Sequence, residues 1–180
     1  MVPGLAEVRD LTSRQIEQTV SSVQLFQELG GLTGRVIFAL LLIRLVAQRR
    51  RMRAFLGPAL IVFSWLYFFA ATHSLALVQF GIFLATLLFN GLHSFWGNYL
   101  PRVYPTHLRG TGESFATNIG GRAIGTAAAL LTTQLSNVIP GSGDAARLAY
   151  SAGTIALLAC AVGLVGSFWL REPEGDQLPD

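Results

Sequence analysis

With 180 residues, 52% of them hydrophobic and 13% charged, and a mean hydropathy of +0.50, the chain is too apolar for an ordinary soluble domain, which carries about twice that share of charge. Its 13 basic residues, all arginine, outnumber 10 acidic ones. They gather between apolar runs, where arginine sets membrane topology, so the pI of about 9.6 does not point to nucleic acid.

Met1 to Gln24 lacks the basic start and short apolar core of a signal peptide. Residues 1–19 read as a polar segment of mixed charge on the outer side of a membrane. Within it, DLTSRQIEQ has the look of a helix start, with Thr12 or Ser13 followed by Gln15 and Glu17. A spanning helix needs roughly 20 residues, and segments 20–46, 54–71, 75–100, 113–135 and 148–170 can each supply one. The predicted fold class is therefore all-α and integral to the membrane, with five transmembrane helices in a bundle over 20–170. Pro58 is expected in the first turns of the second span, where a missing N–H costs least, and Trp169 at the end of the fifth as an interfacial anchor. The polar, acidic tail 171–180 is expected to be disordered in the cytoplasm.

Arginine counting gives the orientation. Arg44, Arg49, Arg50, Arg51, Arg53, Arg102, Arg109 and Arg171 fall on one side, and Arg9, Arg14 and Arg147 on the other. The richer side is cytoplasmic, which places the N-terminus outside and the C-terminus inside an inner cell membrane.

Polar residues inside the spans are the candidate pathway. In the first span Gln24, Glu28, Gly31 and Arg35 share one face, with Arg35 roughly 13 Å from Arg44 at 1.5 Å per residue. Glu28 is the first candidate for a titrating group and His93 the second. In the third span Gln79, Thr86, Asn90, His93 and Gly97 form a stripe beside Ser94 and Trp96. That stripe either lines a cavity with an aromatic platform or hydrogen-bonds between helices. In the fourth span Arg122 either binds an anion or gates a path, or bonds a neighbouring helix, with Asn118 one turn earlier placed to orient it. Gly121 and Gly125, and the small residues Ala152, Ala156, Cys160 and Gly163, are expected to allow close helix contact.

The loop before the fourth span holds Pro105, Arg109, Gly110 and Gly112. The glycines are expected to permit turns a side chain would block, Thr111 to cap the next helix, and Glu113 to sit at its positive end. This loop either sets topology or works with Arg44 as a gating latch. No metal site is expected: Cys160 is the single cysteine, and His73, His93 and His107 lie at different depths. No nucleophile–base pair points to an enzyme, and no phosphate-binding glycine loop points to a nucleotide cofactor.

The string Tyr99, Leu100, Pro101, Tyr104, Pro105, Thr106, Leu108, Arg109, Gly110, Thr111, Gly112, with Phe115, Asn118 and Arg122 after it, resembles the loop between the tenth and eleventh helices of major facilitator superfamily transporters. Gly31, Gly34, Arg35 and Arg44 resemble that family's eighth helix and the basic loop after it. The chain departs from the pattern at Arg102, where an acidic residue is usual, and at Ala39, Ile43 and Val46, where glycine, aspartate and glycine are usual. Its arginine at 122 falls one residue late. The resemblance implies helices eight to twelve, a partial C-terminal half of the bundle.

By that resemblance the chain is expected to be a fragment of a secondary active transporter. Such a transporter moves a small solute, an organic anion or sugar-like metabolite, by alternating access and in symport with an ion such as the proton. It would need the missing N-terminal half or a homo-oligomeric partner, no cofactor, and the lipid bilayer around it. The alternative expectation is a membrane-embedded interaction subunit without transport of its own.

Overall fold

The computed structural model describes residue 8 and residues 11–44 and 48–170, without the side chains of 41–44, 48, 49, 51, 94 and 98. Most of the expected outer segment and the whole tail 171–180 therefore lie outside the described residues. Of the described residues 87% are helical and none lies in a strand, and they form five helices. They are α1 (Ser13–Arg44), α2 (Gln48–Trp65, continued through a π-helical turn Leu66–Ala70 and Ala71–His73), α3 (Leu75–Val103), α4 and α5 (Asp144–Gly166). Helix α4 has three consecutive stretches, Arg109–Ala116, a π-helical Thr117–Ala123, and Ile124–Ser136.

Local chemistry sets these boundaries. Thr12 precedes α1, and Gln15 folds back so that its Oε1 accepts from the Thr12 N–H at 3.0 Å and the Thr12 hydroxyl at 2.8 Å. This is the glutamine half of a capping box. Leu11 and Ile16, the positions of a hydrophobic staple, pack with buried Val8 and Val78. The helix signal in DLTSRQIEQ thus starts α1 seven residues before the expected 20. Ser74 caps α3, its Oγ accepting from the Leu77 N–H at 3.4 Å.

Pro58 lies inside α2 rather than in its first turns, because the arginine run from Arg49 is already helical. Its missing N–H leaves the Ala54 carbonyl without its usual intrahelical donor.

The helices stand in a row: α1 along α3, α3 on α2, α2 on α5, and the last stretch of α4 on α5. Glycine makes most of these contacts close, as expected where backbones rather than long side chains meet. A Cβ on Gly30 or Gly34 would strike the backbone carbonyls of Phe83 or Leu87 in α3. Gly91 of α3 seats the Phe55 ring of α2, and Gly153 of α5 receives Tyr67, where a Cβ would come within 2.6 Å of the tyrosine Cβ.

The main core gathers at the Arg44 end, from Phe38, Met52, Phe55, Leu56, Ala59, Phe95, Tyr99 and Cys160. A second cluster of Leu66, Ala70 and Ala85 sits toward the other end. Helix α4 is different: none of its residues is buried.

Among the described residues, three helical stretches are long and apolar enough to cross a membrane, Met52–His73, Leu75–Val103 and Asp144–Gly166. All five helices are present; over the described side chains α1, with Gln24, Gln27, Glu28 and Arg35, and α4, with its glycines, threonines and Arg122, do not reach that apolarity.

Candidate functional site

Polar side chains bridge two helices at the seam between α1 and α3. The glycines of α1 bring it against α3, and polar side chains then bridge the two helices on either side of the contact. Gln79 Nε2 donates to Ser22 Oγ at 2.9 Å. The Thr86 hydroxyl reaches the Gln27 carbonyl at 2.9 Å and the carbonyl of its own Ile82 at 2.8 Å, so one proton is shared between the helices. Arg35 Nη2 donates to Asn90 Oδ1 at 3.4 Å. Asn90 Nδ2 donates in turn to the Thr86 carbonyl at 3.1 Å. Gly31 is buried beside it, where a Cβ would come within 2.9 Å of Asn90 Nδ2.

Of the α3 stripe read from sequence, Gln79, Thr86 and Asn90 are therefore interhelical hydrogen-bonding groups. Arg35 is held by one edge and exposed along the rest of its side chain. Two candidate residues, Arg35 and Asn90, meet here.

The others are apart. Glu28 is exposed on the flank of α1, and among the described residues it makes no hydrogen bond and no ion pair with Arg35. His93 is exposed, its Nδ1 3.3 Å from the Phe89 carbonyl and its ring 4.5 Å from the Phe89 ring. Trp96, the expected aromatic platform, is partly buried. It packs edge-on against Phe95 and Tyr99, at 5.2 and 6.1 Å, as part of the main core, because the stripe on its helix leaves Trp96 on the side facing α2.

Asn118 does not orient Arg122. Its Nδ2 donates to the Ser114 carbonyl at 2.8 Å, and both residues fall in the π-helical stretch. In that wider turn four residues fall short of a full revolution. Arg122 is exposed and has no hydrogen-bonding partner among the described residues.

The loop departs from expectation too. Helix α4 begins at Arg109 with Leu108 at its cap position and no side-chain cap, so Thr111 and Glu113 lie inside the helix. Gly110 and Gly112 are helical rather than turn-forming. Gly112 instead makes room for Tyr104, whose ring a Cβ would meet at 2.7 Å. Pro105 opens the turn, its carbonyl accepting from the Leu108 N–H at 3.0 Å. Arg109 is half-buried at the helix start. The Arg44 side chain, and with it the latch expectation, lies outside the described residues.

Gly121 and Gly125 have open space where a Cβ would be, so they form no close helix contact. The small seam of α5 runs through Ala146, Ala149, Gly153 and Cys160, with Gly163 against Leu56. Two features had no counterpart in the sequence reading. One is the Arg53 guanidinium 5.0 Å over the Phe168 ring; the other is the Gly30–Gly34 step, which GGLTG spells openly. Among the described residues no three His, Cys, Asp or Glu side chains gather to hold a metal ion.

No family model, curated protein or solved structure matches this chain.

Proposed function

We propose that the chain forms one helical bundle of a secondary transporter, which passes a small organic anion across a cell membrane by alternating access. The observation that carries this reading is the Arg35–Asn90 contact at the α1–α3 seam. It fixes a guanidinium roughly 13 Å along α1 from Arg44 and leaves part of that group exposed. Ionisable groups at such depth mark substrate and ion paths. Three apolar helices fit a membrane protein, and the arginine-rich end, with Arg53, Arg102 and Arg109, is its cytoplasmic side. The resemblance of residues 99–122 to a major facilitator loop favours the same class.

The working unit is this bundle with a companion. Arg122 turned to lipid would cost at least ~2.5–3.5 kcal/mol, and α4 buries no residue in this chain. A second bundle against α4 removes that cost and completes the two sides that alternating access requires.

Proteoliposomes with an imposed pH gradient test the reading, using a panel of mono- and dicarboxylates, phosphate esters and a neutral sugar. Uptake of an anion that Arg35→Ala abolishes and Arg35→Lys partly keeps is the expected result. Uptake confined to the neutral sugar and indifferent to Arg35→Ala would overturn it. The same bare α4 favours a second reading, a membrane subunit that binds another protein without moving solute. A stoichiometric protein partner with no flux would select that one.

A further inference from the structure

We infer that a second copy of this chain is the companion bundle, docked across α1 and α4 so that Glu28 of each copy pairs with Arg122 of the other. The inference builds on the companion required by the transporter reading above, and it stands on the placement of two charges. Helices α1 and α4 are the outer members of the row. Well inside its length α1 carries two exposed charged residues, Glu28 and Arg35, and α4 carries Arg122; Arg35 already bonds Asn90, which leaves Glu28 and Arg122. Among the described residues neither has a hydrogen-bonding or ion-pair partner, and their signs are opposite.

Their depths agree. The Arg44 end of α1 and the Arg109 end of α4 lie at the same end of the molecule, where Phe38, Phe95 and Tyr99 gather and Tyr104 packs on Gly112. Measured from there at 1.5 Å per residue, Glu28 is about 24 Å along α1 and Arg122 about 20 Å along α4. A flexible arginine stem spans the difference.

A two-fold axis along the membrane normal keeps both copies in one orientation, preserves these depths, and makes two identical pairs. A foreign partner would have to bring a base opposite Glu28 and an acid opposite Arg122, both at this depth. A second copy brings both by construction. The pairing runs α1 against α4 in opposite directions, which sets exposed Leu32 opposite exposed Ile119 and closes an apolar rim over the charges.

The full chain in lipid nanodiscs, counted by single-molecule photobleaching, provides the test without any solute. The wild type is expected as a dimer. Glu28→Arg alone and Arg122→Glu alone are each expected to weaken association roughly tenfold, and the double reversal to restore it. Both sites are exposed, so unchanged helix content by circular dichroism accompanies each variant. Independently, in a Cys160→Ala background, differently tagged Leu32→Cys and Ile119→Cys chains are expected to cross-link to each other on mild oxidation.

A monomer covered by lipid, a dimer indifferent to both reversals, or a monomer holding a stoichiometric foreign polypeptide would overturn the inference. Failure of solute uptake by a charge-dependent dimer would remove the transporter reading and leave the dimer standing. Uptake by a monomer would overturn the inference and the need for a companion, and leave solute transport itself standing.

Discussion

Gly34 of α1 lies directly against the carbonyl of Leu87 in α3, close enough that a methyl group at that position would overlap backbone. No side-chain rotation relieves such a clash, because the obstructing atom belongs to a helix held by its own hydrogen bonds. Gly34→Leu is expected to lower stability by about 1–3 kcal/mol, the usual cost of overpacking. Gly97→Ala is the control: nothing lies within 4 Å of its Cβ position, so it is expected to be neutral or stabilising by about 0.5–1 kcal/mol from helix propensity. Unfolding midpoints in detergent, followed by circular dichroism, check both.

The Arg35–Asn90 bond is expected to couple the two helices weakly. Polar pairs between membrane helices average about 0.6 kcal/mol in double-mutant cycles, and this one is long at 3.4 Å. Arg35→Ala, Asn90→Ala and the double variant, compared by chemical denaturation in mixed micelles, should give a coupling of that size. A loss of uptake far larger than this energy implies would then belong to solute contact, not to helix packing.

Phe55 fills the space over Gly91 and joins the main core, with a tilted contact to Phe38 at 5.8 Å between ring centres. Phe55→Ala is expected to cost about 3–5 kcal/mol through lost packing and the cavity left behind. Ile61 on the same helix is 74% exposed, and Ile61→Ala should stay within about 0.5 kcal/mol. Thermal aggregation midpoints of the two purified variants separate the outcomes.

Arg53 ties the start of α2 to the end of α5 through the Phe168 ring at 5.0 Å. Phe168 is exposed, so Phe168→Leu is expected to cost about 0.5–1 kcal/mol. Arg53→Lys should keep part of that, since an ammonium also sits over a ring, though without the planar stacking of a guanidinium. Limited proteolysis at the C-terminal end of α5 is a sensitive readout, with faster cleavage expected for Phe168→Leu than for Arg53→Lys.

The five helices were legible because apolar runs of fixed length are bounded by arginine, proline and polar caps, and these are local signals. The start of α1 at Thr12 was also written locally, in the spacing to Gln15. The polar stripe of α3 was legible as a stripe, but its partner was not. Gln79, Thr86 and Asn90 look the same whether they face water or another helix, and only the approach of α1 decides it.

Glycine spacing misled for the same reason. Gly121 and Gly125 have the same four-residue step as Gly30 and Gly34, yet one pair faces open space and the other a neighbouring backbone. The wide turn at Thr117–Ala123 was invisible to any reading that assumes one helical period, and it separates Asn118 from Arg122. Trp96 was read with the polar residues around it, and it also packs against the core.

The docking of α1 onto α3 also fixes an order of events during synthesis. Arg35 finds its acceptor 55 residues later in the chain, after the whole of α2 has been made. At ~5–20 residues per second, α1 must wait for about 3–11 s with its arginine unshielded and its glycine face bare. On the membrane reading proposed above, the insertion machinery or a lipid headgroup has to shelter that helix through the interval. Slowing translation between α2 and α3 should therefore lower the yield of assembled protein more than the same pause placed after α3.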